Sequence, residues 1–149
     1  MTVEPATLVR LRRMLLVTFV IGASGTGAEL LLIGHVEDRP QIIPLALIGV
    51  ALAAVAWLAL RPGRRVLRSF QLLMMGFVLS GAAGVGLHYQ ANQEFELEMY
   101  PDRSGFELFK ETLTGALPVL APGTMSLLGL VGLAVTYRHP RTTHHSLEA

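Results

Sequence analysis

One carboxylate, Glu29, interrupts an apolar run that otherwise extends from Met14 to Gly34. If the run crosses a bilayer, an ionised acid there would cost roughly 2–3 kcal/mol. Glu29 is therefore expected to face neighbouring helices, neutral or hydrogen-bonded, with Gly25 and Thr26 beside it on the inward side. Such a placement has two readings: a proton or cation site, or a neutral acid that ties two helices together. His35 and His88 are the next candidates. Both close apolar runs of the same direction, so their imidazoles are expected at matched depth. Two such imidazoles could ligate a divalent metal or a haem iron, and Gly81 and Gly84 would leave room for a planar ring. The competing role is a hydrogen bond from either histidine to Glu37, Asp38 or Glu94.

Other chemistries are excluded by what the chain lacks. It has no cysteine, so disulfides, thiolate catalysis and zinc–cysteine sites fall away. It carries no Ser-His-Asp arrangement, no glycine-rich phosphate loop and no zinc-protease motif, so no enzyme activity is expected. Basic clusters with interleaved aromatics are missing, which argues against a nucleic-acid partner. The paired His144 and His145 in the polar tail are a weak metal signal.

The elements that must position these groups are apolar. Charged residues make up 15% of the chain and hydrophobic ones 52%, against about 25% charge in ordinary soluble domains. The deficit is concentrated in four segments, about 14–34, 41–60, 69–88 and 116–137. Each is about long enough to cross ~30 Å of hydrocarbon as a helix. The first continues past the roughly 7–15 apolar residues of a signal-peptide core and is expected to be a retained span. Arg10, Arg12 and Arg13 precede it, Arg61, Arg64, Arg65 and Arg68 separate the second and third, and Arg138 and Arg141 follow the fourth. Only Arg39, Arg103 and Lys110 are basic on the other side, which also holds most of the acids. By the positive-inside rule both termini are cytoplasmic in a bacterial-type inner membrane.

The expected fold is thus an all-α integral membrane protein. It forms one domain over 1–149, a four-transmembrane-helix bundle with an amphipathic helix on the outer interface. Asp38 and Gln41 have the spacing of a capping box at the start of the second span. The outer loop, 89–115, opens with "EFELEMY", whose acid–apolar alternation has a strand-like period of two. Ser104 and Glu107 repeat the capping-box spacing, and Phe106, Phe109, Leu113 and Leu117 form the stripe of an interfacial helix, with a hairpin as its rival. Pro118 and Pro122 predict a break near Ala121–Gly123 in the fourth segment. A polar tail occupies 138–149.

Two small-residue ladders are available for helix packing. Gly76, Ser80 and Gly84 lead up to His88 on the third span, while Gly22 and Gly25 lie among Thr18, Thr26 and Glu29 on the first. Glu94, Glu96, Glu98, Phe106 and Phe109 make an acidic, aromatic surface suited to a partner at the membrane. In outline, four short spans with a first-span glutamate resemble the small multidrug-resistance transporters. The likeness covers topology and Glu29; the glutamate is displaced outward here and the loop after span three is longer. The leading expectation is an accessory or interaction subunit of an inner-membrane complex, in contact with lipid and with other membrane subunits or further copies of itself. The alternatives are a small proton- or cation-coupled transporter using Glu29, and a haem- or metal-binding protein using His35 and His88.

Overall fold

A computed structural model describes residues 5–61 and 63–139. Pro62 of the turn before span three, Arg141, His144 and His145 lie outside them. The described chain is all helical, with α1 (Ala6–Leu32), α2 (Arg39–Leu60), α3 (Arg64–Met99), α4 (Gly105–Leu113) and α5 (Gly123–Thr136), and no strand among the described residues. Helices α1, α2 and α3 are long and apolar enough to cross a membrane.

The connection between α1 and α2 is written in local chemistry. Gly34 takes φ +68°, the left-handed conformation open to glycine. Its N–H donates to Leu31 O (3.2 Å) and the His35 N–H to Leu30 O (2.9 Å). That pair of bonds is a Schellman ending, and it satisfies the last carbonyls of α1. Gln41 Oε1 then accepts from the backbone N–H of Glu37 (2.9 Å) and Asp38 (3.3 Å), as its capping-box spacing implied.

One expectation is corrected beyond this point. "EFELEMY" is not extended, because α3 continues as one helix through Met99. Glutamate, leucine and methionine in this stretch, and the alanine and glutamines just before it, are strong helix formers, and so short an alternation does not override them. The helix stops where it must, before Pro101, with Tyr100 pushed to φ −138°, ψ 78°. The fourth segment breaks where Pro118 and Pro122 predicted, so it is not a full-length helix. Residues 116–122 form successive turns around Pro118 and Pro122, and α5 keeps only 14 residues, about 21 Å at helical rise. Each proline lacks the N–H that a longer helix would need.

Helices α1, α2, α3 and α5 pack as a ring, each against the next, and α4 lies on the far end of α3. The core is built from Phe19, Ala23, Ile48, Ala51, Phe70, Met74, Phe77, Met125 and Leu128. Phe19 stands edge-on to Phe70 at 5.5 Å and tilted against Phe77 at 5.7 Å, geometries that suit the aromatic quadrupole. Arg12 closes the ring: its Nη2 donates to Tyr137 O (2.9 Å) and Arg138 O (3.3 Å), where α5 ends. A guanidinium there also favourably meets the negative end of the α5 dipole.

Candidate functional site

The face of α1 carrying Glu29 is turned away from the bundle. Phe19, Ala23 and Gly27 recur every four residues and form the buried stripe. Glu29, two residues past Gly27, projects about 200° from it at 100° per residue, and its side chain is exposed. This corrects the expectation of an inward carboxylate. Thr18 and Gly25 share the open face, and a Cβ added at Gly25 would meet nothing within 4 Å. Gly22, at the edge of the same ladder, is used internally: a Cβ there would come within 2.7 Å of Leu128.

The α3 ladder is only partly the one expected. Gly84 lies against Pro122, whose Cβ would be 2.6 Å from an added methyl, whereas one added at Gly76 would meet Leu47 at an ordinary 3.4 Å. Ser80 is half-buried. The closest approach runs instead along Gly81, where an added Cβ would stand 2.5 Å from Ser126 N and 2.8 Å from Pro122 O. From the other side, Gly129 would place one 2.6 Å from Met74 O, and Gly132 would meet Met74 and Phe70. Ser126 Oγ donates to Val78 O (2.9 Å) across the same seam. Ser126, Gly129 and Gly132 sit three residues apart, a small-residue stripe present in the sequence but missed.

The two histidines have separate surroundings. His35 belongs to the turn that ends α1. His88 is half-buried within α3, with Nδ1 3.2 Å from Pro118 O. The carboxylate partners foreseen for them are replaced, for His88, by this carbonyl. Among the described residues no group of three or more His, Cys, Asp or Glu side chains could hold a metal.

Beyond His88, Asn92 fastens the chain that leads into α5. Asn92 is buried, its Nδ2 donates to Thr112 O (2.9 Å) and Leu117 O (2.8 Å), and Oδ1 accepts from Leu117 N (3.0 Å). Gly115 is pressed against it, since a Cβ there would lie 2.7 Å from Asn92 Cγ. A lone asparagine in "QANQ" carries no motif that would have marked this role.

The acidic, aromatic surface is altered by one ion pair. Glu96 is drawn inward to Arg103, so it is not part of the open surface with Glu94 and Glu98. Arg103 also reaches Glu107 (3.4 Å) and stacks 4.1 Å from the Tyr100 ring centroid. Glu107 therefore does not complete a capping box, and the Ser104 side chain makes no cap bond. Helix α4 packs on α3 with Thr112 buried and Leu108 and Glu111 half-buried, while Phe106, at 79% exposure, and Phe109 point outward. Their rings lie 6.3 Å apart, and Phe109 is 6.4 Å from Tyr89.

Comparison with protein-family models, with characterised proteins and with solved structures returns no match.

Proposed function

We propose that this chain is an accessory subunit of an inner-membrane complex and docks to its partner through the open face of α1. Helices α1, α2 and α3 cross the bilayer. The turns of 116–122 together with α5 make the fourth crossing, and both termini are cytoplasmic, as the arginine distribution requires. The observation that carries the reading is Glu29, an acid in an apolar helix that points away from the chain's own bundle. A carboxylate left against lipid is costly, so a partner helix with a polar or basic group at that depth would relieve it. Gly25, one turn away with open space around it, lets that helix come close. The outward Phe106, Phe109 and Leu113 of α4, with Leu117 beyond its end, rest on the outer membrane interface.

The chain has no cysteine, so Gly25→Cys creates a unique attachment point for a cross-linker. The probe should give a defined adduct with another membrane subunit in native membranes. Val50→Cys, exposed on α2, should give none. A protein that extracts alone and monomeric, with no adduct from position 25, would overturn the proposal.

A further inference from the structure

The geometry points to a binding site for an anionic phospholipid at the start of α1, where Arg10 and Arg13 hold the phosphate and the groove over Met14 and Val17 takes an acyl chain. Arg10, Arg13, Met14, Val17 and Thr18 line one open groove along the outward face of the helix. Their spacing, three or four residues apart, stacks them on a single stripe. The neighbouring Arg12 points the other way and is engaged with the end of α5. The three basic residues of this helix thus divide between one that closes the bundle and two that face out.

Among the described residues no ion pair neutralises the outward pair. No carboxylate occurs on α1 before Glu29, far along the helix. The neighbouring helix ends at this level carry Arg61, Arg64, Arg65, Arg68 and Arg138, and no acid is found there among the described residues. The described part of the chain leaves this pair open to an external counter-charge. Two guanidinium forks one turn apart match a phosphate, which they can bind through parallel N–H···O bonds. The groove below is apolar: Met14 is 69% exposed, Val17 51% and Ile21, one turn further on, 68%. A free phosphate or a nucleic acid would leave that surface bare, whereas a phospholipid covers both parts.

This inference rests on α1 being a span with its start at the cytoplasmic face, and the experiment separates the two. The purified, delipidated full-length protein is titrated in detergent with phosphatidylglycerol and with phosphatidylcholine of the same chains, and bound lipid is counted by native mass spectrometry. Phosphatidylglycerol should be retained in preference to phosphatidylcholine. Arg10→Gln with Arg13→Gln should weaken it about fivefold per arginine, roughly 25-fold together. Arg65→Gln with Arg68→Gln, equal in charge lost, should change it less than about twofold. Val17→Trp, which fills the groove at constant charge, should weaken binding too. Equal retention of both lipids, equal loss in the two arginine pairs, or full displacement by inorganic phosphate would each overturn the site. A protein that stays monodisperse in water without detergent would overturn the membrane reading itself.

Discussion

The α3–α5 seam and the open face of α1 both carry glycine, yet they differ in use. At the seam, Gly81 and Gly129 each face the other helix's backbone, and any Cβ would collide with main-chain atoms. On α1, Gly25 faces nothing. A small-residue stripe marks a surface that can be approached closely; it does not say whether the same chain supplies what approaches. The seam also spends its polar group internally, through Ser126 Oγ and Val78 O. The α1 face leaves its polar group, Glu29, turned outward.

The contrast can be broken most forcefully at the seam. Gly129→Leu must displace the Met74 carbonyl and Val78, and should destabilise the protein by about 3 kcal/mol or more, read as a fall in the unfolding midpoint in detergent. An unchanged midpoint would mean the helices do not touch there. Asn92→Ala comes next. It strands the Thr112 and Leu117 carbonyls and the Leu117 N–H, at a cost of about 2 kcal/mol. Amide exchange at Leu117 should accelerate, while the interior of α2 keeps its protection. The smallest effect belongs to Gly25→Leu. The new side chain meets open space and removes a glycine from a helix, so stability should stay level or rise by up to about 1 kcal/mol. A loss as large as that at Gly129 would show that this face is already covered, and the comparison would collapse.

Much of the helical layout was legible. Apolar runs located α1, α2 and most of α3, since a run without charge and without turn residues has few alternatives to a helix. The Asp38–Gln41 spacing and the prolines at 118 and 122 identified a helix start and a helix break, because their effects act within one turn. The ends of α3 were misjudged for the opposite reason. Apolarity stopped near His88, but helicity did not, and propensity with the Asn92 bonds carried it on. The stripe of Phe106 and Phe109 was visible, and so was its amphipathic helix α4. That Glu96 leaves the acidic surface for Arg103 was not, since the turn at Pro101 and Asp102 folds one back over the other.

Composition and spacing decided that this chain is helical, where its long apolar segments lie and which end of the bundle is basic. Those properties follow from residues acting on their immediate neighbours in the chain. Which face of each helix looks inward was decided by tertiary packing alone. Glu29 and Gly27 differ by two positions in one helix, yet one is exposed and the other is buried against Ile48. The rotation that separates them is set by Phe19 locking between Phe70 and Phe77 and by Leu128 filling the space beside Gly22. These contacts join residues far apart in sequence, and a helix that is apolar nearly all round carries too weak a polar–apolar asymmetry to announce them.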